Sequence, residues 1–89
     1  MNTYKLRITT PAEDAYDDEA LQISLRVTEG DIAIMAGHIP FVSAVVPGKC
    51  RVYLPSGDTR DGRCSGGLLS VTKENVRLLC SEFTWDDKK

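Results

Sequence analysis

The chain has 89 residues, 42% hydrophobic and 27% charged, with a formal net charge of −2. That length makes one domain with one modest core, burying roughly 60–65% of the surface its unfolded chain exposes. Charges of both signs are interspersed and no basic patch gathers to neutralise phosphates, so nucleic acid is excluded as the expected partner.

In chain order, the opening "MNTYKLRITTP" lacks the apolar core of a secretory signal and is read as carrying none. Within it Tyr4, Leu6 and Ile8 alternate with Lys5 and Arg7, the period of a half-buried strand. "TTPAED" supplies a turn. "DDEALQISL" has a helical look, but strict alternation of Leu21, Ile23, Leu25 and Val27 against Gln22, Ser24 and Arg26 predicts a strand. "TEGD" (residues 28–31) turns the chain again. The longest uncharged run, residues 32–48, is interrupted by Gly37-His38 and Pro40 and falls short of the ~20 apolar residues of a spanning helix. Gly37 is expected to supply a positive φ, with Pro40 stiffening the exit.

"VPGK" (residues 46–49) predicts a type II turn, with Pro47 setting φ and Gly48 taking φ > 0. Cys50, Val52 and Leu54 alternate with Arg51 and Tyr53. "PSGDTRDG" (residues 55–62) reads as a hairpin tip, and "TKEN" (residues 72–75) separates "LLSV" from "VRLLC". "SGG" (residues 65–67) lacks the lysine and following helix of a phosphate-binding loop and reads as a bulge or a close backbone approach. Turns this frequent between short strands predict an all-β sandwich or barrel, with the domain over residues 1–84 and a flexible tail over 85–89. Trp85 is expected either to cover a sandwich edge or to anchor further helices.

Three cysteines, Cys50, Cys64 and Cys80, sit at long separations with no CxxC pair. They fit free, buried thiols in a reducing compartment better than a zinc site completed by His38. His38 is the one histidine. As a general base it would need a pocket and an orienting acid, and no motif supplies that context.

The order of motifs resembles one family. An opening strand ends in "TTP" (residues 9–11). "EGDIAIMAGHIPFVSAVVPGKCRV" (residues 29–52), "SGGLLSV" (residues 65–71) and "NVRLLC" (residues 75–80) follow. The pattern is similar to a Gly-rich loop, "GHAPLL-A---PG--R", "GG-LEV" and "V-VLA" in the N-terminal domain of the epsilon subunit of bacterial F-type ATP synthases. The likeness covers essentially residues 3–84. It departs at Ala36, where the family has proline, and at Ser70, where it has glutamate.

The resemblance implies a flattened β-sandwich of about ten short antiparallel strands. It implies a non-catalytic central-stalk subunit without cofactor or metal, coupling proton-driven ring rotation to ATP synthesis. Its implied partners are the gamma subunit and the c-ring loops, at the cytoplasmic face of the plasma membrane within the F1 sector, peripheral and not inserted. Glu29, Gly30, Asp31 and His38 are the implied c-ring contacts. Thr9, Thr10 and Ser43 are the implied gamma contacts. The C-terminal helical hairpin that binds ATP in many members lies outside the likeness; if the chain is complete its inhibitory switch and nucleotide site are not carried over, and a naturally short member is preferred over a truncated chain. Read without the family, Thr10 is a turn-starting residue and Ser43 a polar position on a buried strand. Two other functions compete: a stand-alone β-sandwich binding module using "IPFVSAVV", and a small thiol or metal enzyme using His38 and the cysteines.

Overall fold

The computed structural model describes residues 2–37 and 39–86. Ten strands follow one another: β1 (Tyr4–Thr9), β2 (Asp14–Ala20), β3 (Gln22–Val27), β4 (Gly30–Met35), β5 (Phe41–Val45), β6 (Gly48–Tyr53), β7 (Thr59–Cys64), β8 (Gly67–Val71), β9 (Asn75–Cys80) and β10 (Phe83–Trp85). No helix occurs among the described residues.

The period-2 pattern decides which side chains go inside. Tyr4, Leu6 and Ile8 of β1 are buried while Lys5 and Arg7 face out. Ile23, Leu25 and Val27 of β3 meet Cys50 and Val52 of β6 and Leu69, Val71, Val76 and Leu78 of β8 and β9 in one core. All three cysteines are free and buried in it, as small apolar fillers.

Hydrogen bonding runs in the order β10-β7-β6-β3-β5-β8-β9-β1-β2, with β4 on the other edge of β3. β3 is the corner. Gln22, Ile23 and Ser24 pair with β6, whereas Val27 pairs with Val45 of β5. The strands therefore divide into a first layer, β10-β7-β6-β3-β4, and a second, β5-β8-β9-β1-β2.

The all-antiparallel expectation needs one correction. β1 and β9 run parallel, with Leu6 opposite Val76 and Ile8 opposite Leu78. A parallel pair requires a long crossover, which the intervening strands provide. The type II turn at Pro47-Gly48 does not form either. Among the described residues positive φ occurs at Gly30, Gly37, Gly57 and Gly66 only, and Gly48 opens β6 opposite Cys64. The chain is not reversing there but crossing from one layer to the other along β3, held by Thr28 N–H to the Ala44 carbonyl and Val46 N–H to that of Arg26, both 3.2 Å. The β6–β7 tip is also tighter than residues 55–62: Leu54 N–H reaches the Asp58 carbonyl at 2.8 Å, and Thr59 to Gly62 already belong to β7.

Gly37 has the expected positive φ, +85°. At Gly67 the close backbone approach is real, since a Cβ there would run into the Leu79 carbonyl oxygen. At the C-terminal end the sheet runs past residue 84. Trp85 pairs with Gly62 in β10, and its Nε1–H donates to the Ala15 carbonyl of β2 at 3.0 Å. Its ring stands edge-on to Phe83 at 4.8 Å and to Tyr16 at 6.2 Å, with the Arg60 guanidinium 3.9 Å above it. Trp85 thus covers the opening between the two outermost strands of the path, β10 and β2.

Candidate functional site

The β3–β4 hairpin presents Glu29, Gly30 and Asp31. Gly30 has φ +125°, which the tight reversal between Val27 and Asp31 requires. Arg26 grips Asp31 with two hydrogen bonds, 2.8 and 3.3 Å, across the hairpin. That hydrogen bonding holds the Asp31 carboxyl below its ordinary range and lifts Arg26. Asp31 is therefore matched within the chain, whereas among the described residues Glu29 meets only hydroxyls, Thr28 at 3.0 Å and Ser43 at 3.4 Å. Net negative charge at this end sits on Glu29.

The expected ring contacts Glu29, Gly30 and Asp31 lie at the start of β4 and the turn before it. Gly30 and Asp31 begin β4, and Gly37 follows its end. Six extended residues place the two turns about 17 Å apart. His38 itself lies outside the described residues. Its neighbour Gly37 lies in the hollow formed with the β8–β9 turn and Tyr4, and Ile39 is exposed. Ser43 and Thr9 also part company. Alternation along β5 turns Ser43 to the same side as Val45, beside Glu29, while Thr9 and Thr10 lie at the far end of β1. Both threonine hydroxyls are engaged in the β1–β2 turn: Thr9 donates to Asp14 at 3.1 Å and Thr10 to the Glu13 carbonyl at 2.8 Å.

Around Thr9 and Thr10 lies a surface that the sequence reading missed. The register brings Ala44, Leu68, Leu79 and Thr9 into one row across β5, β8, β9 and β1. All four side chains point away from the core. Val42 (64% exposed), Leu68 (43%) and Leu79 (40%) leave an apolar face on the second layer, open as a shallow groove beside Thr9, Thr10 and Pro11. A local signal existed. "GLLS" and "RLLC" each place two leucines together, and in a strand one of an adjacent pair must face out. The outer face of the first layer differs: Arg26, Asp31, Lys49 and Arg51 line its groove, with Arg51 paired to Asp61 at 2.6 Å.

The thiols are poorly suited to nucleophilic work. Burial pushes Cys50 and Cys80 from 9 up to about 12, so the thiolate is scarce near neutrality. Among the described residues no group of three or more His, Cys, Asp and Glu side chains is arranged to hold a metal.

What the chain builds is a β-sandwich of the kind that serves by its surfaces: one acidic hairpin and one apolar sheet face on a rigid frame. Comparison with known proteins agrees. The family described as ATP synthase, Delta/Epsilon chain, beta-sandwich domain matches residues 3–86, and the chain belongs to it. It is 34% identical over 86 residues to the ATP synthase epsilon chain of Clostridium novyi (strain NT), covering 97% of this chain and 66% of that one. It is also 34% identical over 82 residues to the sodium ion specific ATP synthase epsilon chain of Propionigenium modestum, covering 92% and 59%. A chain of the Euglena gracilis mitochondrial ATP synthase (OSCP/F1/c-ring, rotational state 1) matches with TM-score 0.88 at 25% identity, over 93% of this chain and 53% of that one. A chain of the Tetrahymena thermophila mitochondrial ATP synthase central stalk and c-ring shares the fold, with TM-score 0.75 at 16% identity over 89% and 63%. The chain thus spans 66% or less of the length of these relatives.

Proposed function

We propose that the chain is a non-catalytic central-stalk component of a proton-translocating F-type ATP synthase. It binds the gamma subunit and rests on the c-ring, so that ring rotation is coupled to ATP synthesis. The complex holds it at the cytoplasmic face of the plasma membrane as a peripheral part of the F1 sector. Family membership supports this reading, and one observation carries the gamma contact: the apolar face of Val42, Leu68 and Leu79 on the second layer. Thr9 and Thr10 border that face and belong to the gamma contact. Ser43 goes with Glu29, Gly30 and Asp31 at the ring-facing hairpin, since its hydroxyl meets the Glu29 carboxylate. His38, expected at the same ring contact, lies outside the described residues.

Co-purification with gamma tests the proposal. Leu79→Asp places a charge on the apolar face without touching the core, and should abolish the complex while leaving the fold intact by circular dichroism. Glu29→Lys should spare gamma binding but weaken assembly with the ring, because rim charges set register and steering. A wild-type chain that forms no complex with gamma would instead favour a stand-alone binding module on the same face.

A further inference from the structure

Next to the apolar face is an uncompensated charge. Two residues before Leu79 on β9, about 7 Å along the strand, Arg77 points out from the same face. The parallel register puts it directly beside Arg7 of β1. Neighbouring strands lie about 4.8 Å apart, and like charges so placed repel. Arg7 is answered by Asp14 at 3.1 Å, and Lys5 close by is answered by Asp17 at 3.3 Å. Arg77 makes no ion pair or side-chain hydrogen bond among the described residues. It lines a hollow with Lys5, Arg7, Asp17, Ser70 and Thr72.

We infer that Arg77 is a specificity anchor for gamma, receiving an aspartate or glutamate that stands beside the apolar strip covering Leu68 and Leu79. The inference rests on the gamma-binding reading above and adds the chemistry the partner must show. In the isolated chain the like-charge pair costs stability and the leucines are wet. One partner surface with aliphatic side chains and a carboxylate at matching spacing relieves both. A guanidinium suits this task because its planar fork takes a carboxylate through two hydrogen bonds.

The test is a titration of gamma with the full chain at low and high salt. Arg77→Glu should weaken binding at least about tenfold at low salt, with the ratio to wild type shrinking at high salt. Arg77→Lys should weaken binding less than Arg77→Glu, since it keeps the charge but loses the two-hydrogen-bond fork. The thermal midpoint of Arg77→Glu should equal or exceed that of wild type, because Arg7 gains an opposite charge; a merely structural role for Arg77 predicts the reverse. If Arg77→Glu binds within twofold of wild type while Leu79→Asp does not bind, the anchor is overturned and the gamma face stands. If neither substitution changes gamma binding, both readings fall. Self-association through this face, abolished by Leu79→Asp and without gamma binding, also overturns the anchor.

Discussion

Replacing Trp85 with alanine removes the clasp that joins β10 to β2. A half-buried indole takes about 100 Å² of apolar surface out of water, worth about 2.5 kcal/mol. Its hydrogen bond to the Ala15 carbonyl adds about 1 kcal/mol. The edge-on rings of Phe83 and Tyr16 and the Arg60 guanidinium contribute about 0.5–1 kcal/mol each. Against this, freeing the three residues of β10 returns about 1–2 kcal/mol of backbone entropy apiece. The net loss is therefore expected at about 1 kcal/mol, a fall in thermal midpoint of roughly 4–8 °C for a domain of this size. Far-UV circular dichroism follows the transition, since Trp85 is the only tryptophan. Trp85→Phe keeps a ring but loses the Nε1 donor, and should fall about halfway. A Trp85→Ala midpoint within about 2 °C of wild type would refute the clasp and support a tail that begins at residue 85.

Two further outcomes are expected. Tyr4→Phe deletes the hydroxyl that donates to the Ile34 carbonyl at 2.7 Å and ties β1 to β4 between the layers; urea titration should show a loss of about 1–2 kcal/mol, and an unchanged midpoint would mean that water replaces the bond. At high pH, burial keeps Cys50 and Cys80 protonated to about 12 and raises the Tyr4 phenol, so the folded state holds protons that the unfolded chain releases from about pH 9. Stability is then complete below pH 9 and declines as pH rises toward 12, by up to about 1.4 kcal/mol per pH unit for each group. Cys50→Ala should be less stable at pH 7 yet decline more gently above pH 9, and parallel curves for mutant and wild type would rule out a role for that thiol.

Legibility in the sequence followed the range of the interaction. Leu21 onward reads as strand because alternation is local and the turn residues around it are unambiguous. The acidic β2 carries no such pattern; Asp17, Asp18 and Glu19 lie on an edge strand, where pairing with β1 alone sustains it. Pro47-Gly48 misleads because the dipeptide suits a reversal, while the packed layers demand a crossing.

By itself the sequence determined the strand-rich class, the inward parity of β1, β3 and β6, the free thiols and the family, since all of these are written in neighbouring residues or in motif order. Tertiary structure alone decided that β1 lies parallel to β9, so that Arg7 and Arg77 stand side by side. It alone decided that Glu29 and Gly37 occupy opposite ends of β4, that Ser43 answers Glu29, and that Leu68 and Leu79 share one open face with Thr9. The physical reason is common to all four. Alternation tells each side chain in or out, but which strand lies alongside, and in what register, is settled by closing one core from segments far apart in the chain.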